Sequence, residues 1–364
     1  MIIGIDGSRA ALAYHTGTET YSYQLILAMS RLATPDLRLR IYTHQIPQPT
    51  VWVQSPFVET RVIPFPRLWT HIRLAYEITI NPPDVLFVPA HVLPLYCHVP
   101  AVVTVHDLGY LQHPETHTPF QRWYLNWTTK RHTRIANHII ADSFATKHDL
   151  IQYYHTNKSM IHVVHLGIDP NLKPVDDTNI RVKYGLKYDY VFYMGTLQPR
   201  KNLKRLIEAY AMISPHHAVN LVLAGKKGWL YYDLFEYVQQ LNLDKRVIFL
   251  GFVPENDKAG LISGAIAYAF PSLHEGFGLP LLESYACGTP VLTSNVSSMP
   301  EIAGDASFIV DPYSVTAIAS GLNCLILYPK LREKLVKKGF ERVKYFSWDN
   351  TAQQIMAILT NTHQ

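Results

Sequence analysis

Two carboxylates and two glycines share one short segment, Pro271-Ser-Leu-His-Glu275-Gly276-Phe277-Gly278-Leu279-Pro280-Leu-Leu-Glu283, which runs on to the turn Gly288-Thr289-Pro290. It follows the apolar run 267–270, so it reads as a loop at the C-terminal end of a buried strand, with Pro280 suited to the first turn of the next helix. Missing side chains at Gly276 and Gly278 let the backbone approach a ligand closely, and the N–H groups of a helix start attract an anion. Glu275 leaves the loop while Glu283 stands near the first turn of the helix, so the pair could grip different hydroxyl-bearing parts of one long ligand. The plain alternative is a strand-loop-helix turn whose Glu283 only complements the helix dipole. It accounts for Glu283 alone, but not for Glu275 and the glycines beside it.

A second cluster is Tyr193-Met-Gly195-Thr196-Leu-Gln-Pro199-Arg200-Lys201-Asn202-Leu-Lys204, again a strand running into a loop and then a helix. Asn202 suits an N-cap, which brings Arg200, Lys201 and a helix N-terminus to one place. Arginine offers a planar fork and lysine a point charge, and together they could neutralise a diphosphate without a metal ion. The alternative is a solvated cationic loop. In the first half, Tyr14-His15-Thr16-Gly17-Thr18-Glu19 opens a helix after the first strand, placing Gly17 where a phosphate or sugar could come close. His106-Asp107 ends the run 102–105, at the strand end where ligand-facing side chains occur in open α/β sheets. A lone histidine there is otherwise a hydrogen-bonded structural residue, with Asp107 as its orienting partner or a helix cap.

These groups need strands that alternate with helices. Apolar runs at 2–5, 39–42, 85–88, 102–105 and 139–141 read as buried strands, with helical patterns at 19–32 and 120–137 between them. Runs at 191–194, 221–223, 247–250, 267–270, 291–292 and 308–310 repeat the theme, and beyond residue 313 the pattern is helical only, ending in 348–359. The expected fold class is α/β with two doubly wound, Rossmann-like domains. Gly167, Pro170 and Pro174 mark a hinge over 167–177. The expected domains are 1–168, 169–345, and a helix over 346–364 that packs back on the first.

The chain has 364 residues, 48% hydrophobic and 12% aromatic, which excludes general disorder. A formal net charge of +5 favours anionic ligands or membrane surfaces but is too weak for a nucleic-acid binder. Cys97, Cys287 and Cys324 form no C-x-x-C pair, which fits a reducing, cytoplasmic setting. The 18 histidines include no H-E-x-x-H, and no Asp-x-Asp pair occurs, so no metal is expected. No uncharged apolar run reaches the roughly 18 residues of a membrane span.

With these motifs in place, the chain resembles the large retaining glycosyltransferase family 4, which has the GT-B fold of two Rossmann-like domains facing across a cleft. The resemblance spans nearly the whole chain. It rests on the Glu-x7-Glu pattern from Glu275 to Glu283, Gly195-Thr-Leu-Gln-Pro-Arg-Lys-Asn, the Gly251-Phe-Val-Pro254 turn, Phe346-Ser-Trp348 and the Gly17 loop. It implies a hexosyltransferase that takes a UDP- or GDP-sugar donor and a glycan or lipid-linked acceptor, with no metal cofactor. By the same resemblance Glu283 binds the ribose hydroxyls and Glu275 a donor-sugar hydroxyl, in the loop Gly276, Phe277, Gly278 and Leu279. Arg200 and Lys201 hold the diphosphate, Gly17 admits the donor phosphate, His106 lies beside the donor sugar, and the backbone around Phe252 and Val253 meets the base. In part of the family an arginine follows the strand glycine, where this chain has Thr196. Glu275 is not assigned as a nucleophile. Alternatives within the same fold are a sugar-nucleotide epimerase or hydrolase, and a non-catalytic nucleotide-sugar-binding subunit.

The stretch from Phe120 to Arg134 mixes aromatics with cations on one helical pattern. Peripheral association with the inner face of an anionic membrane is one reading. The preferred one turns Trp123 and Trp127, four residues apart, into the core and the cations to solvent.

Overall fold

A computed structural model of the chain describes residues 1–12, 17–47, 55–90, 92–226 and 232–363. These fall into two units: residues 1–111, 117–167 and 346–364 form the first, and 112–116 with 168–345 the second.

The first unit is built on strands β1 (Ile2–Asp6), β2 (Arg38–Thr43), β3 (Val58–Val62), β4 (Val85–Val88), β5 (Ala101–Val105), β6 (His138–Ala141) and β7 (Ile161–Val163). They pair in parallel in the order β3-β2-β1-β4-β5-β6-β7. Every residue of β4 and β5 is buried, as a sheet covered on both faces requires. The helix Trp348–His363 belongs to this unit. Gly167 makes its approach possible, because a Cβ there would stand 2.2 Å from the Trp348 nitrogen, and Thr351 Oγ1 donates to the His165 carbonyl at 2.7 Å.

The second unit carries β8 (Asp189–Met194), β9 (Val219–Ala224), β10 (Val247–Gly251), β11 (Ala267–Phe270), β12 (Val291–Ser294) and β13 (Ser307–Val310). Their order, β10-β9-β8-β11-β12-β13, is the doubly wound order that reverses between β8 and β11. Burial is complete along β9, β11 and β12. The helix Leu203–Ile213 after β8 buries Leu203, Leu206, Ile207, Tyr210 and Ile213, a spacing that keeps one stripe on the sheet.

Two strands lie outside the sequence expectations. β3 reads Val-Glu-Thr-Arg-Val and is only half-buried, and β7 has three residues; both are edge strands with a weak apolar signal. The preferred reading of the tryptophans is overturned: Trp123 is 60% and Trp127 39% exposed. The helix Pro119–Ile135 instead buries Thr128, Thr129 and His132, the last two because their polar side chains find partners inside. The Tyr110 hydroxyl donates to Thr129 Oγ1 at 2.9 Å, and the Leu93 N–H donates to His132 Nε2 at 3.2 Å.

Candidate active site

Arg200, Lys201 and Glu275 come together at the point where the second sheet reverses its strand order, from the loops that follow β8 and β11. Arg200 and Lys201 occupy a short 3-10 turn, Pro199–Lys201. Lys201 Nζ lies 2.5 Å from Glu275 Oε1, and Arg200 Nη1 lies 3.1 Å from Glu275 Oε2. Arg200 also donates to the His274 carbonyl at 2.9 Å, while its own carbonyl accepts from the Leu273 N–H at 2.9 Å. Lys201 packs over the Phe270 ring. All three side chains are largely desolvated. Burial pushes the Glu275 carboxyl up, but the Lys201 and Arg200 cations more than offset this and hold it below its ordinary value. Glu275 is therefore ionised, and the cluster carries a net single positive charge.

The loop that presents Glu275 is tied from behind. Ser297 Oγ donates to the Glu275 carbonyl at 2.5 Å, and Ser298 Oγ donates to the carbonyls of Glu275 and Phe277 at 2.9 and 2.7 Å. Gly276 is buried, as is Phe277, and Leu279 is half-buried. Gly278 caps the next helix at φ +118°, and a Cβ there would meet Met299 Cε at 2.6 Å, so the position needs glycine twice over.

One sequence expectation changes here. Asn202 does sit at the N-cap position of the helix Leu203–Ile213, but its side chain makes no cap hydrogen bond. In the left-handed conformation its Nδ2 donates instead to the carbonyls of Pro271 and Pro312, at 3.0 and 2.7 Å, and so staples the two loops. Glu283 stands in the second turn of the helix Leu279–Ala286, since the helix does not begin before Leu279. Its Oε1 accepts from Lys258 Nζ at 2.9 Å. Lys258 is buried and also pairs with Glu255. Burial pulls its ammonium down, but Glu283 and Glu255 overcome that and raise it. Neither Lys258 nor the Ser297-Ser298 pair stood out in the sequence, because ordinary surface types at unremarkable spacing carry no signal until the sheet brings them beside the loop. Phe252 is exposed beneath Lys226, whose Nζ lies 5.3 Å from the ring centroid, and Val253 is buried.

In the first unit, His106 follows β5. Its Nδ1 lies 2.6 Å from Asp142 Oδ2 and its Nε2 lies 3.0 Å from the Pro89 carbonyl. A carbonyl only accepts, so Nε2 carries a proton. Burial pulls the ring down, but Asp142 more than compensates and raises it. The Tyr21 ring stands edge-on at 4.8 Å. His106 thus engages both nitrogens, and its partner is Asp142 rather than Asp107, whose Oδ1 accepts from the Gly109 N–H. Gly17 begins the helix Gly17–Arg31 with no heavy atom within 4 Å of where a Cβ would stand. The rest of that loop, residues 14–16, lies outside the described residues.

Among the described residues, no cluster of His, Cys, Asp and Glu forms a metal-binding group, and no helix is long and apolar enough to cross a membrane.

Comparison with known proteins adds the family. Residues 15–172 match the model described as Glycosyltransferase Family 4, and residues 176–342 the one described as Glycosyl transferases group 1. The O-antigen chain mannosyltransferase B of Escherichia coli is 31% identical over 260 residues, covering 70% of this chain and 68% of that one. The serotype-specific mannosyltransferase WbdA of Escherichia coli is 27% identical over 263 residues, but this chain spans only 32% of its length. Among solved structures, sucrose-phosphate synthase from Thermosynechococcus elongatus superposes with a TM-score of 0.79 at 21% identity, over 99% of this chain and 98% of that one. HepE of Anabaena in complex with UDP and glucose gives 0.76 at 21%, over 99% of both chains. Two matched family models that between them take in both units, and a relative aligned over most of both lengths, leave one assignment: the chain belongs to glycosyltransferase family 4 and has the GT-B fold.

Proposed function

We propose that the protein transfers a hexose from a UDP- or GDP-sugar to a glycan or lipid-linked acceptor, with retention of anomeric configuration and without a metal ion. The observation that carries this is the Arg200-Glu275-Lys201 cluster: two desolvated cations share one carboxylate at the switch point of an open parallel sheet, where such sheets bind ligands. The relatives named as mannosyltransferases support mannose as the hexose.

In this reading Arg200 and Lys201 hold the diphosphate. The bond from the anomeric carbon to the phosphate oxygen breaks with its electron pair left on oxygen, and the two cations stabilise the charge that grows there. The acceptor oxygen attacks the oxocarbenium-like carbon from the same face, and its proton passes to the departing phosphate. Glu275, fixed by Ser297 and Ser298, orients a hydroxyl of the donor sugar and stabilises positive charge on the ring. Glu283 takes the ribose hydroxyls with the oxygen that Lys258 leaves, the backbone at Phe252 and Val253 meets the base, and Gly276 to Leu279 line the donor. By the family resemblance, Gly17 admits the donor phosphate and His106 takes a hydroxyl of the donor sugar.

Incubation with GDP-mannose or UDP-glucose and a glycan acceptor in EDTA, with the product's anomeric configuration read by NMR, tests the reading. An α-linked product formed at an unchanged rate is expected. An inverted product, or turnover restored only by manganese, contradicts it.

A further inference from the structure

The helix Pro119–Ile135 of the first unit turns its polar side inward and leaves its aromatic side to solvent. Phe120 is 70% exposed, and its ring lies 6.0 Å from that of Trp123. Trp123 in turn stacks on Trp127 at 6.3 Å with the rings 10° from parallel. Further along the same face, at three and seven residues beyond Trp127, Lys130 and Arg134 are exposed. An exposed aromatic ladder that runs into cations is the pattern of an interfacial helix, with tryptophan bodies for the acyl boundary and positive heads for phosphate.

The neighbouring segments extend the face with the same chemistry. His71 Nε2 and the Tyr124 hydroxyl are 2.8 Å apart, joining the helix to a segment that exposes Leu68 and Ile72. Arg131 donates to the carbonyls of Leu93, Pro94 and Leu95, which fixes the segment that exposes Leu95 and Tyr96. Residues 64–72, 92–99 and 118–137 together hold Arg67, Arg122, Lys130, Arg131 and Arg134, and no Asp or Glu. A second copy of this chain would bring like charges together on such a face, whereas an anionic surface complements it.

We propose that this face docks on a bilayer containing anionic phospholipid, with Phe120, Trp123 and Trp127 entering the interface while Arg122, Lys130 and Arg134 lie against the headgroups. The proposal rests on no step of the transfer reaction, and its test needs no substrate.

Co-sedimentation of the full chain with vesicles of phosphatidylcholine, and of phosphatidylcholine with phosphatidylglycerol, reads it out. The protein is expected to pellet with the anionic vesicles alone, less so at high salt, with a blue shift of tryptophan fluorescence. The pair Lys130→Glu with Arg134→Glu should weaken partition at least about tenfold, since each Lys or Arg near the surface contributes about 1 kcal/mol, or about fivefold, and the pair Trp123→Ala with Trp127→Ala should weaken it by removing the apolar area that enters the interface. Unchanged thermal unfolding confirms that only the surface was altered, and Trp123→Gln with Trp127→Gln serves if the alanine pair fails to fold. No partition at low salt, equal partition of the variants, or a concentration-dependent dimer abolished by the tryptophan pair without vesicle binding overturns the proposal.

Discussion

Replacing Glu275 with glutamine removes the one negative charge between two cations. Lys201 and Arg200 contact its two oxygens at 2.5 and 3.1 Å, and their side chains are 11% and 18% exposed. Breaking a buried ion pair by neutralising one partner costs about 3–5 kcal/mol, because charge is left uncompensated. At about 2–4 °C per kcal/mol for a unit of about 150–250 residues, Tm falls by about 6–20 °C. The same change should tighten free GDP or UDP, since the cations no longer divide their charge. A unit charge at about 4 Å and an effective dielectric of about 20 contributes about 4 kcal/mol, and a third of that is about tenfold in affinity. Thermal shift with and without the nucleotide in EDTA reads both effects: a lower Tm for the variant alone, a larger nucleotide shift, and slower transfer. The pH dependence follows from the depressed carboxyl. Its contribution is complete above the unfolded value of about 4.3 and is lost as pH falls through the lower folded value, so Glu275→Gln lacks that acid limb. A variant with the wild-type Tm and the wild-type nucleotide shift refutes the reasoning.

Three further outcomes are expected. Glu283→Ala should weaken nucleotide binding by about tenfold to a hundredfold, as loss of a charge-assisted hydrogen bond of about 1.5–3 kcal/mol implies, without slowing the bound complex comparably; a KM and kcat split checks this. Gly278→Ala should lower stability by about 1–3 kcal/mol, from the positive φ and the 2.6 Å approach to Met299, as measured by denaturant unfolding. Burial, with Arg131 and His71 nearby, pulls His132 down to about 3. Its neutral form thus supports the fold fully above the unfolded value of about 6.5, and that support is lost as pH falls toward the folded value. Wild type should therefore lose stability more steeply than His132→Gln between pH 6.5 and 4.

The strands that build both sheets were legible because doubly buried strands are uniform apolar runs. β3 and β7 escaped because an edge strand needs little apolar surface. Arg200, Lys201 and Glu275 were legible as chemistry, but not as one ion cluster. The contact joins residues about 75 positions apart, and only the adjacency of β8 and β11 creates it. The tryptophan spacing identified a face and not its direction. What decided the direction was where Thr129 and His132 find hydrogen-bond partners, at Tyr110 and the Leu93 N–H. Asn202 was placed at the right position for a different task, since its side chain serves two remote carbonyls and leaves the helix end uncapped.

Calorimetric titration of wild type and Lys201→Ala with GDP and UDP, in EDTA, tests most directly whether this cation cluster is a metal-free diphosphate site. One of the two nucleotides is expected to bind wild type under chelation and to bind Lys201→Ala about tenfold to a hundredfold more weakly. Binding that needs a divalent ion, or that is indifferent to Lys201, would contradict it.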